Sequence, residues 1–315
     1  MRLRVLMEPR HGATYEQILA LARTTAEAGF DAFFRSDHYL GIDAGDPSYR
    51  PTDSWATLAG LALQTSRVQL GTLMTASTFR LPGPLAIAVA TVHAMSGGRV
   101  ELGIGAGWFE REHRSFGIPF PPAGERFDRL EEQLAVITGL WSTPAGERFS
   151  FTGRHYQIDE CANFPDVGPH ASAPAPGGRP RIIIGGVGPR RTPALAARFA
   201  DEFNCGLGSD EAERFANFRR ICAEQGRDPG TVRLSTTLPV CCGLTQEEAG
   251  RRAASLGEPG ARLLSQGVVG TPAHVLRRLE QFAAAGVDTV YFHLYDVEDL
   301  DHVRLLGREV LPRAA

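Results

Sequence analysis

A chain of 315 residues with 43% hydrophobic content holds enough apolar material for one large α/β domain or two smaller ones. Its 33 basic and 36 acidic residues leave a formal net charge of −3 without charge blocks, so neither nucleic acid nor an anionic membrane surface is an expected partner. Every basic residue is an arginine, and a chain without lysine has no Schiff base, pyridoxal anchor or Walker lysine to offer.

Met1 leads straight into R-L-R-V-L-M, where Leu3, Val5 and Met7 alternate with Arg2, Arg4 and Leu6, a pattern that predicts a strand rather than a signal peptide. No apolar run reaches the roughly 18 residues of a membrane span, and the expected location is the cytoplasm. A helix follows, opened by a capping box of Thr14 and Gln17 and closed at Gly29. The phrase A-E-A-G-F-D-A-F-F, from Ala26 to Phe34, is echoed by A-A-A-G-V-D-T-V-Y-F, from Ala283 to Phe292, as one helix-to-strand turn used twice. Further strands are predicted at Val68–Leu73, Val100–Ile104, Arg181–Ile184, Glu202–Cys205 and Val232–Val240. Helices are predicted at Trp55–Thr65, Pro84–Met95, Glu125–Leu140, Pro193–Arg198, Glu211–Gln225, Gln246–Ser255, Pro272–Ala285 and Val297–Val310. Eight strands alternating with helices favour a single (β/α)8 TIM barrel over residues 1–315, ahead of a doubly wound sheet. The rhythm breaks from Ser142 to Pro180, where F-S-F-T-G-R-H-Y-Q-I reads as a hairpin before a proline- and glycine-rich run; this is an insertion between strand 4 and strand 5. The five cysteines are scattered and lack metal-ligand spacing, so buried reduced thiols are expected and no metal site.

In such a barrel the chemistry sits at the carboxyl ends of the strands. After the second strand comes R-S-D-H, in which His38 stands beside Asp37, a setting suited to a proton donor or acceptor near neutral pH. After the fourth come Gly103, Gly105 and Gly107, where another backbone or a flat ligand can approach closely, then Trp108. After the fifth, Gly185, Gly186, Val187 and Gly188 precede a helix start, so free amides, the helix dipole and Arg190 or Arg191 suit a phosphate. Neither run is a G-x-G-x-x-G dinucleotide fingerprint. Glu112 and His113 read as the charged start of a helix, and of the nine histidines only His38 is given a proton-transfer role.

The residues together carry a resemblance. S-D-H, L-G-T-L-M-T-A-S-T-F-R-L-P, S-G-G-R-V-E-L-G-I-G-A-G-W, E-H-R-S-F-G-I-P-F, E-R-F-D-R-L-E-E and I-I-I-G-G-V-G-P-R-R-T resemble the luciferase-like monooxygenase superfamily, and most of all its coenzyme F420-dependent oxidoreductases. The resemblance implies a (β/α)8 barrel, often homodimeric, with the deazaflavin across the barrel mouth. It implies that Asp37 and His38 lie beside the ring, and that Leu73 and Met74, followed by Thr75, form a non-prolyl cis peptide bulging behind it. It also implies that Ala106 and Gly107 touch the ring or ribityl chain and that Gly185 to Gly188 cradle the phosphate. Where sugar-phosphate dehydrogenases of the superfamily carry a catalytic glutamate, this chain has Trp108, and it lacks the lysines that would grip a sugar phosphate. The leading expectation is therefore an F420H2-dependent reductase that passes hydride to an activated C=C, C=N or C=O of a small organic substrate. The alternatives are an FMN-dependent monooxygenase using reduced flavin and O2, and a non-catalytic flavin- or F420-binding protein.

Overall fold

Alternation along residues 2–7 sets the plan of the molecule. Leu3, Val5 and Met7 join the main core with the helix residues Ile18 and Leu21, whereas Leu6 joins a second, smaller core with Phe34, Leu73, Ile183 and Tyr291. The first core lies between sheet and helices, the second inside the sheet.

The computed structural model describes residues 1–8, 12–41, 49–162, 167, 178–207, 210–257 and 264–314. In chain order the elements are β1 (Arg2–Met7), α1 (Tyr15–Glu27), β2 (Ala32–Arg35), α2 (Ser54–Gln64), β3 (Gln69–Ala76), α3 (Pro82–Met95) and β4 (Val100–Gly105). There follow α4 (Glu110–Ser115), α5 (Ala123–Ser142), β5 (Phe149–Thr152), β6 (Gln157–Cys161), β7 (Arg181–Gly185), α6 (Arg191–Phe199), β8 (Glu202–Asn204) and α7 (Glu211–Glu224). The chain closes with β9 (Arg233–Cys242), α8 (Gln246–Ser255), β10 (Val268–Gly270), α9 (Pro272–Ala284), β11 (Thr289–Leu294) and α10 (Leu300–Glu309).

Parallel pairing runs β1-β2-β3-β4-β7-β8-β9-β11, and β11 returns to β1, so eight strands close a barrel as expected. The β5–β6 hairpin is antiparallel and lies between the fourth and fifth barrel strands. Two elements depart from the predicted plan. Strand β10 pairs with the far end of β9, from Val240 to Cys242, and extends the sheet beyond the barrel. Helix α10 starts at Leu300 rather than Val297, because Asp296 and Asp299 accept the amides of Glu298 and His302 and turn the chain first. All five cysteines are unpaired; four are buried, and Cys161 is partly exposed.

The barrel interior is layered. At its amino end Arg4 binds Glu101 at 3.0 Å and the Tyr291 hydroxyl at 3.1 Å, Arg181 binds Glu101 at 3.2 Å, and Tyr291 donates to Glu202 at 2.8 Å. Above this lies the apolar layer of Leu6, Phe34, Ile183 and Leu73. At the carboxyl end lie Glu8, Gly105, Gly185 and His293, two residues beyond Leu6, Gly103, Ile183 and Tyr291, and His38, three residues past the end of β2.

Candidate active site

His38 leaves the end of β2 and turns its Nδ1 to Glu112 of α4, 3.0 Å from Oε1 and 3.2 Å from Oε2. The Tyr39 amide donates to the same carboxylate at 3.1 Å, so Glu112 is fixed by backbone as well as by ring. With Nδ1–H given to the carboxylate, the imidazole keeps Nε2 for a reacting partner. Burial alone would lower the pKa of His38. The hydrogen bond to Glu112 and the charges of Glu8, Glu112 and Asp37 outweigh it and hold the pKa above the ordinary histidine value. Glu112 therefore departs from the expectation of a surface helix start: it is 1% exposed and belongs to the site. Only its burial beside His113, on a helix too short to show a period, marks it out.

His113 clamps the loops. Its Nδ1 donates to the Phe109 carbonyl at 2.8 Å, which leaves Nε2 to accept from the Thr78 hydroxyl at 2.6 Å.

A second dyad lies on the neighbouring strands and is not evident from the sequence. Glu8, just past β1, meets His293 Nε2 at 2.7 Å, and the Tyr295 hydroxyl meets His293 Nδ1 at 3.1 Å. Burial would raise the Glu8 carboxyl, yet the hydrogen bond and charge of His293, together with the charge of His38, hold it below its usual value.

Asp37 is turned away from this cluster. Its carboxylate is buried, accepting from Arg80 at 2.6 Å and from Thr75 at 2.8 Å, while Thr75 accepts from the Trp55 indole at 3.1 Å. Arg80 also reaches Asp53 at 2.5 Å and the Tyr39 hydroxyl at 3.0 Å. Asp37 thus ties the end of β2 to β3, where the Leu73–Met74 peptide is cis and the pairing with β4 shifts register between Thr72 and Thr75. Met74 lies over the ends of β4 and β7: a Cβ at Gly105 would stand 3.1 Å from its sulfur, and one at Gly185 would strike its methyl group. The room at those two glycines is taken by Met74. Gly107 has φ +78°, and a Cβ there would meet the Thr78 hydroxyl at 3.0 Å, so glycine is required by backbone and loop alike.

Beyond β7, Gly186 has φ +146° and Gly188 follows, both beside the buried Thr192 at the start of α6. Helix α6 begins without a side-chain cap on Arg190, so its first amides are left for another acceptor. The two arginines differ: Arg191 is held by Asp128 at 2.7 Å and by the Gly124 carbonyl at 3.0 Å, whereas Arg190 is exposed and has no ion pair among the described residues. This cradle, one free guanidinium beside uncapped amides that glycine leaves accessible, fits a phosphate carried by a cofactor. Ala106 is partly exposed between it and His38.

Comparison with known proteins agrees with this geometry. A family model described as luciferase-like monooxygenase matches residues 1–264. The F420-dependent glucose-6-phosphate dehydrogenase of Microbacterium testaceum is 35% identical over 195 residues, 62% of this chain and 53% of that protein. The F420-dependent hydroxymycolic acid dehydrogenase of Mycobacterium tuberculosis is 31% identical over 243 residues, 76% of this chain and 62% of that protein. The chain spans about half the length of three of the glucose-6-phosphate dehydrogenases it matches, between 51% and 53%. Among solved structures, monooxygenase RslO1 from Streptomyces bottropensis superposes with a TM-score of 0.80 over 100% of both chains at 20% identity, which shows a shared fold.

Proposed function

The chain belongs to the luciferase-like monooxygenase family, and from that premise we propose that it is an F420-dependent oxidoreductase that reduces an activated C=C, C=N or C=O of a small organic molecule. The observation that carries the reading is the His38–Glu112 dyad, with Nε2 given no partner among the described residues. When bound, coenzyme F420 supplies the hydride chemistry. The uncapped amides of α6, Gly186, Gly188 and Arg190 hold its phosphate, and Ala106, Gly107 and the Leu73–Met74 bulge back its ring. His38, whose pKa is lifted above the ordinary histidine value, delivers a proton from Nε2, while Glu112 keeps the ring oriented and balances its charge. Asp37, Thr75 and Arg80 hold the strand ends that set the distance between dyad and bulge.

Support for F420 over FMN comes from the dehydrogenases at 31% and 35% identity, and from the unpaired Arg190, which suits a cofactor with a negatively charged tail. Equilibrium titration tests it. The wild type should bind F420 more tightly than FMN. Arg190→Gln should weaken F420 about tenfold, a loss of about 1.4 kcal/mol, while a truncated deazaflavin without the tail is affected less. Tighter binding of FMN, or equal losses for the two deazaflavins, would contradict the assignment.

A further inference from the structure

We infer that the acceptor reduced here is a flat, uncharged, conjugated molecule, an aryl enone or its analogue, seated against Trp108; the inference rests on the F420-dependent reading above.

Trp108 follows the glycines of β4 and is 62% exposed, whereas Trp55 and Trp141 are 4% and 6% exposed. An indole left in water at a barrel mouth forgoes the burial that aromatic side chains ordinarily gain, and a flat partner would restore it. The ring is held in place. It stacks on Phe109 with centroids 5.0 Å apart and planes 14° apart, and it meets the His38 ring at 5.8 Å and 79°. A planar molecule against the indole is therefore brought beside the histidine that gives the proton. Val187, on the loop after the adjacent strand β7, is 62% exposed as well and adds apolar surface to the same rim.

Charge narrows the class. Arg80 is taken by Asp37 and Asp53, Arg191 by Asp128, and Arg126 by the Pro121 carbonyl and the Phe120 ring at 3.9 Å. Arg190 stands at the phosphate cradle, and the groups nearest His38 are the carboxylates Glu8 and Glu112. An anionic acceptor would meet negative charge at the dyad and, among the described residues, no free guanidinium beside it. An uncharged enone meets neither penalty, and its polarised double bond is one the dyad can serve. In the reaction its β-carbon gains a hydride, two electrons and one hydrogen, from the reduced cofactor, and its α-carbon gains the proton of His38 Nε2. The C=C becomes a single bond. Bound F420H2 would supply the hydride and give up its remaining proton to solvent, and His38 is recharged from solvent.

The test uses the full chain with and without oxidised F420, titrated with benzylideneacetone by calorimetry and by tryptophan fluorescence, with iodide to isolate the exposed indole. Saturable binding is expected for wild type and for Trp108→Phe, and binding about tenfold weaker for Trp108→Leu, with F420 affinity unchanged within a few-fold. Glucose-6-phosphate, the compound named for one relative, should show no saturable binding. Equal affinity of wild type and Trp108→Leu overturns the inference, as does tighter binding of the sugar phosphate. A tenfold loss of F420 affinity in Trp108→Leu would assign the indole to the cofactor and also overturn it. Trp108-dependent enone binding by a chain that fails to bind F420 would support the acceptor class while refuting the cofactor.

Discussion

A histidine with one nitrogen on a buried carboxylate and the other open is set to move one proton in one direction. Replacing His38 by alanine should lower turnover by roughly 10²-fold while leaving F420 affinity within a few-fold, as steady-state kinetics and titration would show. Its partner acts through the pKa. Because the Glu112 hydrogen bond and charge lift His38, the protonated donor persists above the ordinary value of about 6.5, and the rate falls as pH rises through the lifted pKa. Glu112→Gln should move that alkaline limb to lower pH, and a profile that stays in place would remove Glu112 from the mechanism. The same shift bears on folding. A raised histidine pKa contributes stability that is fully present below about pH 6.5 and is lost as pH rises through the folded value.

Strands and loops meet over Met74, which bridges the ends of β4 and β7 from the bulge of β3. In Gly185→Ala the new methyl would strike Met74 and stand 2.9 Å from the Asn204 carbonyl. The variant should lose about 1–3 kcal/mol by overpacking, read as a lower denaturation midpoint, and should bind F420 more weakly because the proposed ring site lies against the displaced bulge. Unchanged stability and affinity would show that the bulge has slack. Gly107→Val should lose stability on its own, since φ +78° is strained for valine whatever ligand is present. Much of this level is legible in the sequence. The barrel strands announce themselves by alternation, as in Leu3, Val5 and Met7 against Arg4 and Leu6, and the Gly185–Gly188 run marks the turn between β7 and α6 by composition. Strand β10 has three residues and α4 has six, too few for a period, so neither is legible. The partners Glu112 for His38, Glu8 for His293 and Asp128 for Arg191 are set by barrel closure, which no local pattern reports.

Across the whole molecule, the closed barrel separates a structural end from a reacting end. At the amino end burial would raise Glu101, but Arg4, Arg181 and Arg233 outweigh it and hold the carboxylate charged. Glu202 in the same layer is raised, by burial first and by the charge of Glu101, in spite of Arg4. Glu101→Gln should therefore cost about 3–5 kcal/mol, because it removes the buried carboxylate that Arg4 and Arg181 share, whereas Glu202→Gln should cost far less. Chemical denaturation would rank them, and equal losses would contradict this division of charge. At the carboxyl end the proposed reaction is hydride delivery to an acceptor with a proton from His38. The most direct measurement is rapid-mixing absorbance of the purified chain with F420H2 and an enone, run with and without O2, beside the same runs with reduced FMN. The account predicts oxidation of F420H2 that depends on the acceptor and is indifferent to O2, with reduced FMN giving no reduced enone. Consumption of reduced FMN that requires O2 and yields an oxygenated product, with F420H2 left untouched, would contradict it.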